Sequence, residues 1–322
     1  MALKSSYPTR PSDRNRWILD RRGIKNRLDP KIPYAYFVEE ERTKSGVVEN
    51  IATVFLTNRE CPWKCLMCDL WKNTLDHSVS KGDIPNQMEY ALDRLPKTTQ
   101  IKLYNSGSFF DKNAIPPQDL LPIANILNSF ERVIVECHPS LIDERVLTFN
   151  DQISGNLEIA MGLECVHPDV LDKLNKGMDL EQFREKASFL NHHGIAIRVF
   201  TLLRPPFLSE EEGIEWGKKT LDFAFENQVE VAVVIPTRAW NGALEALMES
   251  GDFHPPEISS LEQVTAYGIK MGKARIFADL WDIDIFSNCN HCLAHRKKRL
   301  TMMNELQVIP PVIACNHCGN SH

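Results

Sequence analysis

The sequence predicts an α/β fold in which a parallel sheet curls into a partial barrel of six β/α units. Short β-branched apolar segments alternate with segments of helical periodicity along residues 51–235. The apolar segments are nearly continuous, which is typical of parallel strands covered by helices. After residue 235 the 322-residue chain is too short to complete eight units and still carry a tail.

The elements follow from local signals taken in order. Six strands are predicted at 51–56, 101–104, 133–137, 157–163, 195–203 and 229–235. Helices are predicted at 83–95, 116–130, 179–193, 209–225 and 261–272. Asp83, Asp179 and Ser209 are helix start signals, and Glu212 stands at capping-box spacing from Ser209. These elements divide the chain into an N-terminal extension (1–48), a barrel core (49–280) and a C-terminal metal-binding tail (281–322).

Composition places the chain among ordinary globular proteins. It is 43% hydrophobic and 25% charged. No apolar run approaches the ~20 residues that span a bilayer, and the N-terminus lacks the apolar core of a signal peptide. We therefore expect a cytoplasmic protein without membrane contact. In a reducing compartment, nine cysteines indicate metal ligands before disulfides.

Charge is distributed unevenly. The formal net charge is −6, yet residues 1–32 carry nine Lys/Arg against three Asp. A second basic run, HRKKR, occupies residues 295–299. Basic segments on an acidic body are typical either of nucleic-acid binding or of a solvated surface. The sequence leaves both interpretations open.

The segment 57–71 contains three cysteines in the spacing Cys-x3-Cys-x2-Cys. Cys61, Cys65 and Cys68 are odd in number and too close to pair conveniently as disulfides. Thiolates are preferred ligands of iron–sulfur clusters, and three of them would leave one iron of a 4Fe–4S cluster without a protein ligand. That iron could take a small molecule through an amine and a carboxylate. A zinc site or three unrelated buried cysteines is the alternative.

This loop after a predicted strand resembles the radical S-adenosylmethionine (SAM) superfamily. The resemblance implies that Cys61, Cys65 and Cys68 hold a 4Fe–4S cluster whose open iron chelates SAM. One electron from the cluster then cleaves SAM to a 5′-deoxyadenosyl radical, which abstracts hydrogen from a substrate. The electron would come from a donor such as flavodoxin or ferredoxin. Met67 stands where the family usually has an aromatic residue, and a thioether also packs on rings.

Residues at the ends of the predicted strands match positions where the family contacts SAM. The glycine loop 105–108 follows the second strand, where relatives bind the SAM amino group through backbone carbonyls. Glu164 ends the fourth strand and would accept the ribose hydroxyls. The resemblance thus implies these cofactor-binding residues: Met67, Asn105, Ser106, Gly107, Ser108, Glu136, Glu164, Arg198 and Ile235.

Within that set the individual roles differ. Glu136 ends the third strand and would face SAM or substrate. Ile235 lies where relatives read the adenine edge through backbone groups. Arg198 could pair with the SAM carboxylate, with Lys176 and Arg184 as competitors for that role.

Residues 106–116 and 162–212 narrow the resemblance to the Elongator/MiaB-like group. They are most similar to the archaeosine-synthase radical SAM subunit and its relatives, and the similarity spans about residues 34–280. It implies a modified base in tRNA as the substrate. A peptide or small-molecule substrate, served by an auxiliary cluster, is the first alternative. A zinc-stapled RNA-binding protein without radical chemistry is the second.

Two further Cys-x2-Cys pairs stand near the C-terminus. Cys289, Cys292, Cys315 and Cys318 have the spacing of a four-thiolate site, for which tetrahedral zinc is the usual metal. A second 4Fe–4S cluster is the rival. Zinc or a cluster would fix the tail to the barrel, and its binding free energy would contribute to folding.

Overall fold

Eight strands pair in chain order in the computed structural model, which describes residues 5–318. The strands are β1 (Ala35–Arg42), β2 (Val48–Phe55), β3 (Gln100–Tyr104), β4 (Arg132–Glu136), β5 (Asn156–Glu164), β6 (Ala196–Leu203), β7 (Val231–Pro236) and β8 (Arg275–Ala278). β1 is antiparallel to β2, and every later pair is parallel. Residues 1–4 and 319–322, which include parts of the predicted extension and tail, lie outside the described residues.

Except for the first helix, which precedes β1, the helices come after strands, and several of them cover the outside of the sheet. They are α1 (Pro11–Leu19), α2 (Asp83–Leu92), α3 (Leu120–Leu127), α4 (Glu144–Asn150), α5 (Pro168–Lys173), α6 (Leu180–His192), α7 (Glu210–Glu226), α8 (Ala243–Ser250), α9 (Ile258–Met271) and α10 (Asn290–Leu306). Strand residues such as Val135 and Ile197 share one buried apolar cluster with Phe183 of α6 and Val264 of α9. Among the described residues, no helix is both long enough and apolar enough to cross a membrane.

The six predicted strands correspond to β2–β7, and the predicted α/β partial barrel is confirmed. The capping signals also hold: Asp179 accepts the Gln182 N–H at 2.7 Å, and Ser209 forms a capping box with Glu212. The structure adds β1, which lies within the predicted extension 1–48 and pairs with β2 along its whole length. The predicted domain bounds stay a prediction.

A network of buried charges occupies the barrel interior near the amino ends of the strands. Arg198 donates to Glu158 at 2.6 Å and to Glu41 at 2.5 Å. Lys102 pairs with Glu41 at 2.6 Å, and Arg132 also pairs with Glu158. Burial, which alone would raise the pKa of Glu41, is outweighed by Arg198 and Lys102, so that pKa lies far below its usual value. The network forms a floor beneath the open part of the barrel.

Helix α10 covers the free edge of β8. The Gln307 side chain accepts the Ile276 N–H and donates to the Ile276 carbonyl, both at 2.7 Å. Asn304 makes the same two-way contact with Ala278, at 2.8 and 2.9 Å. Arg42 of β1 donates to the Glu305 carbonyl at 2.8 Å. The helix therefore bridges the two outer strands and satisfies backbone groups that an open sheet edge would expose.

Candidate functional site

The cysteine loop leaves the carboxyl end of β2 and is held by loops from two other strands. The Leu66 N–H donates to the Leu174 carbonyl at 2.8 Å. Asn175 donates to the Lys64 carbonyl at 2.8 Å, and the buried Asn241 donates to the Leu66 carbonyl at 2.7 Å. These contacts fix the backbone between the cysteines, at the sheet edge where α/β enzymes carry their sites.

Burial raises the pKa of the Cys61, Cys65 and Cys68 thiols to about 12. Such thiols stay protonated unless a strong positive charge reaches them, as a bound metal does. These three thiols could therefore serve as thiolate ligands only beside such a charge.

The glycine loop after β3 lies directly against the cysteine loop. A Cβ added to Gly107 would lie 3.2 Å from the Cys61 Cβ, so a larger residue would press the two loops apart. The Glu136 carboxylate accepts the N–H groups of Asn105 and Gly107, the latter at 3.2 Å. Burial nevertheless raises the pKa of Glu136 to about 7. Glu136 therefore supports this loop from below.

Glu164 and Lys176 form a buried ion pair at the carboxyl end of β5. Their Oε1 and Nζ atoms are 2.6 Å apart. Burial, which lowers the pKa of Lys176, is outweighed by Glu164 and then Cys65, so the pKa is raised. A Cβ at Gly162 would lie 2.1 Å from the Glu164 Oε1, so glycine makes room for the pair. Glu164 itself has a φ of 63° beside a bulge in β5, a conformation that turns its carboxylate aside from the regular strand alternation.

Met67 and Ile235 come together on one apolar surface. Both pack against the buried cluster that contains Cys165, Leu174 and Leu202. Ile235 is paired with Leu202 near the carboxyl ends of β6 and β7. This surface lies beside the cysteine loop because Met67 belongs to that loop.

Arg198 is not brought to this edge, which corrects its assignment as the residue for the SAM carboxylate. It is the third residue of β6, and its guanidinium forms ion pairs with Glu41 and Glu158 in the floor of the barrel. Its competitor Arg184 lies on the surface of α6 beside Glu181, at 3.4 Å. Lys176 lies near both Cys61 and Cys65, whereas Lys64 acts on Cys61 and Arg22 on Cys65.

Three aromatic or histidine residues at this edge escaped the sequence analysis. Trp63, between the first two cysteines, stacks on His138 with ring centroids 3.7 Å apart. The His138 Nε2 lies 3.1 Å from the Lys176 carbonyl, so the stack also reaches the segment that carries Lys176. Tyr34 hydroxyl and Ser106 hydroxyl are 3.0 Å apart. Only the aromatic character of these positions could have signalled them.

The C-terminal cysteines converge as their spacing predicts. Their four sulfurs lie within 4.8 Å of one another, and the Cys289–Cys315 and Cys292–Cys318 sulfur pairs are each 3.8 Å apart. The Arg296 guanidinium donates to the Cys292 sulfur at 3.4 Å and pairs with Glu262 on α9. The four thiols are thus arranged as ligands of a metal.

Part of the basic run 295–299 is not a free surface. Arg296 and Arg299 are both buried, and both pair with Glu262. Lys297 pairs with Asp284 at 2.6 Å. The run therefore anchors α10 to its neighbours, and little of its charge remains for a ligand.

Comparison with known proteins yields relatives in sequence and in fold, although no family model matches the chain. An uncharacterised protein of Methanocaldococcus jannaschii is 23% identical over 94% of this chain and 89% of its own length. Archaeosine synthase subunit beta of Methanosarcina acetivorans is 27% identical over 68% of this chain and 67% of its own length. The same subunit of Thermococcus kodakarensis is also 27% identical.

Among solved structures, Streptococcus suis SuiB bound to S-adenosylmethionine superposes with a TM-score of 0.50 at 14% identity. The match covers 73% of this chain and about half (52%) of SuiB. The predicted fold is confirmed, because SuiB shares it, and the predicted resemblance to archaeosine synthase subunit beta is borne out by the two relatives of that name.

Proposed function

We propose that this chain cleaves SAM reductively at a 4Fe–4S cluster held by Cys61, Cys65 and Cys68. When bound, the cluster and SAM together supply a 5′-deoxyadenosyl radical, and the protein supplies binding, orientation and exclusion of water. The observation that carries the proposal is the close approach of Gly107 to Cys61, 3.2 Å for an added Cβ. It brings the glycine loop 105–108 directly against the cysteine loop.

The neighbouring residues provide groups suited to each part of SAM. The backbone carbonyls of the 105–108 loop, held by Glu136, suit the amino group. Lys176 suits the SAM carboxylate, and Glu164 suits the ribose hydroxyls. The two side chains form one buried pair at 2.6 Å, so both groups stand at one place in the site. Met67 and Ile235 offer an apolar surface for the adenine ring.

We further propose a base in tRNA as the substrate, in the cytoplasm, with an electron donor such as flavodoxin or ferredoxin. Similarity to archaeosine synthase subunit beta over about two thirds of both chains supports this substrate. The basic segment near the N-terminus supports it as well, because it offsets the acidic balance of the rest of the chain.

Cleavage of SAM by the anaerobically reconstituted protein tests the chemistry. With dithionite as reductant, the wild type should form 5′-deoxyadenosine, and the Cys65→Ala variant should form none. Cys137→Ala is the matched control, because Cys137 is buried below this edge and should leave cleavage intact. Retained cleavage in Cys65→Ala would refute the proposal. Total cellular tRNA, which carries its modified bases, that stays unchanged while a peptide reacts would refute the RNA substrate alone.

We propose zinc as the metal of the C-terminal site. A tetrahedral zinc with ~2.3 Å bonds to sulfur separates its thiolates by about 3.8 Å. The Cys289–Cys315 and Cys292–Cys318 sulfur pairs are each 3.8 Å apart, and all four sulfurs lie within 4.8 Å of one another. A 4Fe–4S cluster bonds each thiolate to a different iron and needs a wider spacing. Metal analysis of Cys289→Ser should show zinc lost and iron retained; loss of iron would refute zinc.

A further inference from the structure

The mouth of the barrel is bordered by a basic N-terminal segment, residues 21–31, and by the loops after β7 and β8. β1 is antiparallel to β2, so its beginning lies where β2 ends, and the Tyr34 N–H donates to the Phe55 carbonyl at 2.9 Å. The Asn26 N–H donates to the Lys72 carbonyl at 2.8 Å. The segment therefore runs beside the cysteine loop. We call the segment and the two loops the barrel rim.

The rim segment is strongly positive within an acidic chain. Residues 21–31 carry five Lys/Arg against one Asp, whereas the formal net charge of the chain is −6. Arg22 and Lys25 bond to Glu60 at 2.7 Å, which ties the segment to the cysteine loop. Arg27 and Lys31 are exposed. Cations fixed beside a cleft attract an anionic partner to it.

Two exposed tryptophans stand in the two loops of the rim. Trp240, in the loop after β7, is 41% exposed, and Trp281, in the loop after β8, is 66% exposed. Lys72 donates to the Trp240 carbonyl, and Arg238 donates to the Trp281 carbonyl. Trp240 has a φ of 124°, an unfavourable backbone conformation that these contacts help to hold. Each tryptophan is thus exposed, and its backbone carbonyl accepts a hydrogen bond from a cation.

We propose that the rim binds an unpaired segment of RNA, with bases stacked on Trp240 and Trp281 and phosphates on Arg27 and Lys31. Single-stranded RNA is recognised by aromatic rings on which bases stack, combined with cations along the backbone. A protein partner would explain the exposed tryptophans, but it would not explain the exposed cations Arg27 and Lys31 beside the cysteine loop. This inference rests on the proposed function and specifies how its substrate would reach the cluster.

Binding of an unmodified tRNA transcript and of a single-stranded oligoribonucleotide tests the rim. Fluorescence anisotropy would give dissociation constants over a range of salt concentrations for the full-length reconstituted protein. Loss of one stacked base costs about 5- to 150-fold in affinity, so Trp240→Ala/Trp281→Ala should bind both RNAs at least about 25-fold more weakly. Arg27→Gln/Lys31→Gln should reduce the salt slope by about 1.4 on the single strand.

The matched control is Lys97→Gln/Lys273→Gln, which removes two exposed cations just before β3 and β8, at the opposite edge of the sheet. It should change neither affinity nor slope. SAM cleavage without RNA should persist in all three double variants, which shows that they are folded. Failure of the wild type to bind either RNA would overturn both this inference and the tRNA substrate. Wild-type binding that survives in the tryptophan variant would overturn the rim alone and assign the tryptophans to a protein contact.

Discussion

Replacing Arg198 with alanine separates a structural role from a role in binding SAM. The side chain is 2% exposed, and its partners Glu158 and Glu41 are 0% and 8% exposed. Arg198→Ala would leave both carboxylates inside the barrel with fewer donors. The fold therefore predicts lost stability and unchanged SAM affinity.

The loss of unfolding free energy in Arg198→Ala depends on the partners that Glu41 and Glu158 keep. Breaking a buried ion pair typically costs about 3–5 kcal/mol in the free energy of unfolding. Lys102 stays 2.6 Å from Glu41, and Arg132 stays beside Glu158, so we expect the lower end, about 3 kcal/mol at pH 7. The lowered pKa of Glu41 contributes stability above its unfolded pKa that is lost as the pH falls through the folded value. The variant loses part of this contribution, so its difference from wild type should narrow below about pH 4.

Denaturant unfolding of the cluster-free chain at pH 7 and pH 4 measures this loss, and equilibrium dialysis of the reconstituted protein measures SAM affinity. Arg184→Ala is the control, because Arg184 forms an exposed pair with Glu181 and lies over the Phe223 ring, so its loss should cost no more than about 1 kcal/mol. Normal stability with weakened SAM binding in Arg198→Ala would contradict the assignment of Arg198 to the barrel floor. It would return this arginine to the SAM carboxylate.

Three further changes have defined outcomes. Burial raises the pKa of Glu136 to about 7, so the unfolding free energy of the cluster-free wild type should fall as the pH rises from about 4.5 to 7. Glu136→Gln should remove this dependence. A variant with the same pH profile as the wild type would contradict the raised pKa of Glu136. Gln307→Leu leaves the Ile276 N–H and carbonyl without their side-chain partner at a sheet edge. We therefore expect the free energy of unfolding to fall by about 1–3 kcal/mol and the variant to self-associate in analytical ultracentrifugation. A variant that stays monomeric with wild-type stability would disprove this. Cys318→Ser should lower the thermal midpoint and release zinc while SAM cleavage persists, and concurrent loss of iron would argue for a shared or second cluster.

Sequence patterns predicted the features that depend on local chemistry. The spacing of Cys61, Cys65 and Cys68, the apolar strands and the capping residues each follow from short-range rules, and the parallel order then places the strand ends together. The convergence of Cys289 with Cys315 was also predictable, because paired Cys-x2-Cys spacings constrain a site strongly.

Short-range patterns did not predict how far along the barrel a side chain stands or which distant residue it contacts. Arg198 lies on the interior face of its strand, but the two-residue period does not tell how far along the barrel a side chain stands. β1 was missed because Glu39 and Glu41 made it look like a polar surface segment, whereas both pair with the buried Lys102. Gln307 was missed because a helix pattern does not show that an amide will bond to a strand edge.

Metal analysis of the anaerobically reconstituted protein, compared with a Cys61→Ala/Cys65→Ala/Cys68→Ala variant, tests whether the first three cysteines hold the cluster. We expect about four irons and one zinc per wild-type chain, with a 4Fe–4S signal in electron paramagnetic resonance after reduction. The triple variant should contain the zinc and no iron. Iron retained in the triple variant, or zinc bound at the first three cysteines of the wild type, would contradict the assignment of the radical SAM site.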